Sequence, residues 1–257
     1  MSIAPVAALA AASVVAGLVN AVAGGGSLVS FPAAVAFGLP SLIANATNAV
    51  ALTPGSIASA YAYRRELARD RAALEVLLPP ALAGGLVGSI LLLVTPQKVF
   101  DTIVPLLVLF ATALLFRQNL RRKQEAPEGA AWVLPQSNRV TMLLQFLVGV
   151  YGGYFGAGMG IMMLAILGRL GGVDIHGMNG VKSVLAAAIN AIAAVAFIVA
   201  GAVDYRVAGI MAAGAIVGGF AGAAMARKVK PVVVRWMVVA IGVVLTGVLG
   251  YRRFLGG

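Results

Sequence analysis

The runs Gly24-Gly25-Gly26 and Gly156-Ala157-Gly158-Met159-Gly160 break two long apolar stretches, 4–39 and 140–173, at corresponding places in the two halves of the chain. Glycine is a poor helix former, and several together within one or two turns stop a helix. Paired interruptions in a duplicated apolar chain are the sequence-level pointer to a transport site.

Composition supplies the context. The chain has 257 residues, 61% of them hydrophobic and 11% charged. Its mean hydropathy is +1.00. A soluble domain carries about 25% charged residues, so lipid must solvate much of this surface. Unbroken apolar stretches at 42–63, 72–95, 99–116, 179–202, 207–226 and 232–250 have the length needed to cross a hydrocarbon core of about 30 Å. Without a basic segment ahead of the first apolar stretch, a cleaved signal peptide is not expected.

The net charge of +11 does not indicate nucleic-acid binding. The basic residues cluster between spans: Arg64, Arg65, Arg69 and Arg71, then Arg117, Arg121, Arg122 and Lys123, then Arg227, Lys228, Lys230 and Arg235. Such clusters orient a membrane protein and meet anionic lipid. There is no cysteine and only one histidine, His176. The G-x-S-x-G and H-E-x-x-H patterns are missing, so neither an enzyme nor a metal or other cofactor is expected.

Several elements recur in the second half. Gly84, Gly85 and Gly88 return as Gly218, Gly219 and Gly222; Asn45 and Asn48 as Asn179 and Lys182; Gly17, Gly24 and Gly26 as Gly149, Gly156 and Gly158. The expected organisation is a first transmembrane repeat at 1–116, a cytoplasmic linker at 117–139 and a second repeat at 140–257. The segments after the glycines are long enough for only half a bilayer. The expected fold class is therefore all-α integral membrane with two inverted repeats, each a broken, re-entrant hairpin followed by three transmembrane helices. Inversion gathers the basic clusters on the cytoplasmic side.

Each glycine turn leaves unpaired N–H groups at the start of the following half-helix, where the dipole favours an anion. The expected substrate-binding set is Gly24, Gly25, Gly26, Ser27, Asn45, Asn48, Gly156, Gly158, Gly160, Asn179 and Lys182. Ser27 would donate to the substrate or cap a helix starting at Leu28. Asn45 with Asn48, and Asn179 with Lys182, lie three apart and share a helix face. Lys182 either meets the anion or snorkels to the interface. Asn190 lies on the same face and either touches substrate or bonds between helices. Gly84/Gly88 and Gly218/Gly222 read as close-packing positions. No acidic residue falls in the middle of a span, which argues against a cation pathway.

The run Gly17-Leu18-Val19-Asn20-Ala21-Val22-Ala23-Gly24-Gly25-Gly26-Ser27-Leu28-Val29-Ser30-Phe31-Pro32 resembles the opening motif of the sulfite exporter TauE/SafE family. So does Asn45-Ala46-Thr47-Asn48 leading to Tyr61-Ala62-Tyr63-Arg64-Arg65, and Gly149 to Gly160 followed by Asn179 to Lys182 forms the weaker second copy. The resemblance spans nearly the whole chain. It implies a multi-pass inner (plasma) membrane protein that exports sulfite or an organosulfonate by alternating access, one half rocking against the other. Ala49 stands where the family pattern leads one to expect lysine, leaving Lys182 as the sole cation at this pair of positions. The expected partners are a small anionic substrate and membrane lipid, with a homodimer allowed. Two other classes remain open at this point: an uncoupled anion channel, and a non-transporting membrane assembly factor.

Overall fold

Backbone geometry accounts for both interruptions. Gly24, Gly156 and Gly158 adopt φ of +82°, +78° and +78°, a region that residues with a Cβ rarely enter. The first broken helix, α1 (Ile3–Val22), ends with the N–H groups of Ala23 and Gly24 both on the Val19 carbonyl, at 2.8 and 2.9 Å. The second, α7 (Arg139–Tyr154), ends with Phe155 and Gly156 both on the Tyr151 carbonyl, at 2.9 and 3.1 Å. The same C-terminal device thus closes both helices. Short return helices follow: α2 (Ser27–Ala36) and α8 (Met159–Leu167).

The computed structural model describes residues 3–67, 71–120, 139–168, 175–226 and 231–250. Every other element in them is also helical: α3 (Ser41–Ala62), the single turn α4 (Arg64–Leu67), α5 (Arg71–Val94), α6 (Gln97–Leu120), α9 (Ile175–Val199), α10 (Tyr205–Met225) and α11 (Pro231–Gly250). Helix α6 runs four residues into the expected linker; residues 121–138 lie outside the described set, as do Arg69, Asp70 and Asp174.

Among the described residues, α1, α5, α6, α9 and α10 are long and apolar enough to cross a membrane. Helix α3 has 22 residues but carries Asn45, Thr47, Asn48, Ser56 and Ser59. All five are buried, so the polarity faces inward. The lipid-facing surface is apolar: Leu82, Leu86, Ile90, Leu106 and Leu109 are all exposed. Arg64 stacks over the Tyr61 ring at 4.4 Å, as expected of an interfacial anchor.

Glycine contacts lock helices together across the chain. Helix α1 lies parallel to α10, with Gly214 against Ala10 and Ser13, Gly218 against Val14 and Leu18, and Gly222 against Leu18 and Ala21. Helix α7 lies parallel to α5 in the same manner, with Gly84 against Phe146 and Val150, and Gly88 against Val150 and Tyr154. These glycines are close-packing positions, as their four-residue spacing suggests. Helix α10 also meets α3, with Gly219 against Gly55, and the Asp204 N–H donates to Thr47 Oγ1 at 3.0 Å.

Two further helix pairs that span the halves of the chain are antiparallel. Ser59 meets Ser183, with Oγ atoms 3.0 Å apart, and Tyr63 meets Gly180, so α3 and α9 cross in opposite directions. The same holds for α6 and α11, where Thr112 meets Gly242 and Phe116 meets Trp236. At the far end of α3, Ser41, Gln97 and Asp101 form a hydrogen-bonded clasp to α6.

Gly218→Ala is expected to lower stability by about 1–3 kcal/mol, the cost of overpacking, because its Cβ would overlap the Val14 carbonyl. Gly209→Ala has nothing within 4 Å and should be neutral or stabilising by up to about 1 kcal/mol. Thermal unfolding of the detergent-solubilised variants distinguishes the two.

Candidate substrate site at the apposed glycine turns

The two glycine turns meet. A Cβ on Gly24 would lie 2.7 Å from the Gly160 Cα, and one on Gly160 would lie 2.7 Å from the Gly24 Cα. Only two glycines allow this approach. In the first turn, the Gly26 N–H donates to Asn20 Oδ1 at 2.7 Å. The N-cap of α2 falls on Gly26, and no side chain caps it. The expectation of Ser27 as a cap is therefore corrected: Ser27 is the first helical residue, one position past the cap. The first-turn N–H groups of Ser27 and Gly160 have no acceptor among the described residues.

Lys182 does not take the interfacial position. It is the eighth residue of α9, because that span starts at Ile175 rather than Asn179. Two turns of depth leave it only 2% exposed, so it does not snorkel. Its ammonium donates to the carbonyls of Asn20 (2.8 Å) and Ala21 (3.1 Å) and to Asn179 Oδ1 (2.8 Å). The first two are last-turn carbonyls of α1, without intrahelical partners. A cation at the negative end of a helix is favourable, and at this depth it also solves a hydrogen-bonding problem.

The other half solves the same problem with a neutral group. Asn45 Nδ2 donates to the Tyr154 carbonyl, the last of α7, at 2.9 Å. Asn48, which corresponds to Lys182, accepts instead from Ser30 Oγ. Asn45 and Asn48 therefore hold helices together around the turns.

At the Gly24–Gly160 contact lies a cavity of about 10 Å³, bordered also by Asn20, Ser56, Ser59, Met159, Lys182 and Ser183. That is space for roughly one water. Ser183 Oγ is also within 2.7 Å of the Asn179 carbonyl, to which it donates. Of the expected residues, Gly24, Gly160 and Lys182 border this cavity, and Asn179 holds Lys182 in place. Gly25 faces Leu115 and Gly158 faces Ala111, both on α6; Gly156 shapes the second turn. Asn190 is buried on α9 outside the cavity lining. His176 lies at the start of α9 near the Tyr63 ring. The sequence reading missed Asn20, Ser56, Ser59 and Ser183. Helical spacing was the available signal: Asn179, Lys182, Ser183 and Ala186 fall on one face.

Residues 9–249 match the sulfite exporter TauE/SafE family. The chain belongs to that family. Its relatives include a probable membrane transporter protein of Haemophilus influenzae, 25% identical over 93% of this chain and 92% of the relative. Another is the probable membrane transporter protein ORF9 of a Sinorhizobium species, 29% identical over 91% and 88%. A third is the probable membrane transporter protein YfcA of Escherichia coli K12, 24% identical over 93% and 87%. No solved structure matches. This TauE/SafE protein is thus a multi-pass membrane protein of a transporter family, not of an enzyme family.

Gly24→Ala combines a forbidden φ with a backbone clash and is expected to abolish folded yield or lower Tm by several degrees. Gly25→Ala meets only side-chain ends, Leu115 at 3.2 Å and Val238 at 3.8 Å, and should fold normally. Size-exclusion profiles and thermal unfolding of the two variants, compared side by side, check this.

Proposed function

We propose that this TauE/SafE protein is an alternating-access carrier that exports small sulfur-containing oxyanions, sulfite or an organosulfonate. One observation carries the reading: a buried ammonium stands beside two apposed glycine turns and a small cavity. The expected anion ligands Gly24, Gly160 and Lys182 border that cavity, with Asn179 behind Lys182; Asn20, Ser56, Ser59 and Ser183 join the set.

In this state the cavity is too small for an oxyanion. The ammonium is engaged by neutral oxygens of Asn20, Ala21 and Asn179. The ammonium's bonds to these oxygens are already charge-assisted; an arriving anion adds the attraction of a full opposite charge. It therefore competes with the α1 carbonyls, and binding loosens the first turn. The Ser59–Ser183 bond between α3 and α9 must open at the same time. The first-turn N–H groups of Ser27 and Gly160 then become available donors.

The antiparallel crossings of α3 with α9 and of α6 with α11, together with the parallel pairs α1/α10 and α5/α7, support two inverted repeats. They also bear on what moves. Glycine contacts fasten α1 to α10 and α7 to α5, each across the two halves of the sequence. The moving bodies are therefore α1–α3–α10 and α5–α7–α9, with the Gly24–Gly160 and Ser59–Ser183 contacts between them. The closed, water-sized cavity favours a carrier over an uncoupled pore.

The test is uptake of sulfite, sulfate, thiosulfate and an alkylsulfonate into proteoliposomes containing the pure protein. Saturable flux accelerated by anion on the opposite side is expected. Linear flux without such acceleration would identify a pore, and failure to move any of these anions would reject the oxyanion reading. Lys182→Met should weaken apparent anion affinity by about tenfold, equivalent to roughly 1.4 kcal/mol; an unchanged affinity would reduce Lys182 to a helix cap.

A further inference from the structure

Gln145 stands out from the apolar packing of α7. It is 0% exposed, and neither its Nε2 nor its Oε1 has a hydrogen-bond partner among the described residues. A buried amide with no bond made is costly in any protein and more so at membrane depth. Leucine would fill the same space without that cost.

The register of α7 on α5 places the residue. Gly149 packs against the Ala81 carbonyl and Gly84, and the two helices run parallel. One turn earlier, Gln145 comes level with Leu77, Pro80 and Ala81. Here α5 is itself irregular. Pro79 and Pro80 lie inside it and remove the N–H groups that would bond the carbonyls of Glu75 and Val76. A donor–acceptor amide and a stretch of α5 with freed carbonyls thus share one level of the helix pair. The apolar cluster on this side contains Leu77, Ala81, Val148, Met163 and Leu185.

The corresponding residue on α1 is Ser13, whose hydroxyl donates to the Leu9 carbonyl at 2.8 Å. The first half therefore has a short, satisfied side chain where the second has a long, unsatisfied one. This asymmetry runs in the same direction as that of Lys182 against Asn48 and Ser183 against Ala49. Toward the far end of α7, Met159 Sδ packs over Gly152, and Met159 also lines the Lys182 cavity. A flexible thioether is thus the side chain that reaches both the cavity and the α7 face on which Gln145 lies.

We propose that Gln145 lines the anion's path on the α5–α7–α9 side and contacts water and a passing oxyanion when that side opens, its Nε2 donating to anion oxygen. The ligand class rests on the carrier reading above; access of water to Gln145 does not.

The chain has no cysteine, so a single introduced thiol reports without background. Gln145→Cys and, as a dry control, Leu92→Cys (0% exposed) are exposed in membrane vesicles of both orientations to the impermeant anion 2-sulfonatoethyl methanethiosulfonate. The cysteine at 145 is expected to react at least about tenfold faster than the one at 92, in one vesicle orientation, because thiolate chemistry needs water. Ethanesulfonate should slow it. Equal, slow reaction of both would overturn the proposal and leave Gln145 a packing residue. Gln145→Leu keeps the test open if the cysteine variant misfolds. It should raise Tm while lowering ethanesulfonate flux by about tenfold; a raised Tm with unchanged flux would also overturn it. Labelling without any sulfonate flux or protection by ethanesulfonate would retain the wet path but reject its anion contact, together with the substrate reading on which that contact rests.

Discussion

A helix that stops inside a membrane leaves its last carbonyls unpaired, with no water at hand to satisfy them. Both broken helices of this protein face that constraint, and both meet it with a side chain borrowed from the other half of the chain. Lys182 of α9 covers the end of α1, and Asn45 of α3 covers the end of α7. The reach of these side chains draws α3 and α9 in around the turns, and the turns can then touch because Gly24 and Gly160 carry no Cβ. The small cavity between the bodies follows from this arrangement.

Putting a cation on one cap and a neutral amide on the other makes the two ends chemically unequal. Lys182 neutralises the negative end of α1 and brings a full positive charge to the edge of the cavity. Asn45 satisfies its carbonyl and adds no charge. A roughly symmetric scaffold thus acquires a polar, positively charged side through a few substitutions at equivalent positions: Lys182 for Asn48 and Ser183 for Ala49.

Much of the helical layout was legible in the sequence, because glycine runs and glycine pairs act through the backbone alone. The breaks at Gly24 and Gly156, and the close packing at Gly84, Gly88, Gly218 and Gly222, follow from the absence of a Cβ. Lys182 was legible as a candidate, but its burial was not, since that depended on α9 starting at Ile175. Ser183 shares a helix face with Lys182, but Asn20, Ser56 and Ser59 carry no such signal: small polar residues in apolar helices serve packing and binding alike. The surroundings of Gly25 and Gly158 were illegible for a related reason. A glycine run reports that the backbone turns, whereas the direction in which each residue faces is set by α6, far along the chain. The pairing of helices across the two halves was illegible on the same ground: the partners of α1 and α7 cannot be read from their own sequences.

The pairing of α1 with α10 has a consequence for how the protein is made. The ribosome delivers α1 first, yet the glycines that seat against it arrive about two hundred residues later, roughly 10–40 s at ordinary rates of synthesis. Helix α7, by contrast, emerges after α5 and can dock at once. The newborn chain must therefore hold its first helix in lipid with its proper neighbour still untranslated. Its Gly17 face and unpaired terminal carbonyls wait for Lys182 and then for Gly218, so maturation depends on the tail of the chain reaching back to its head.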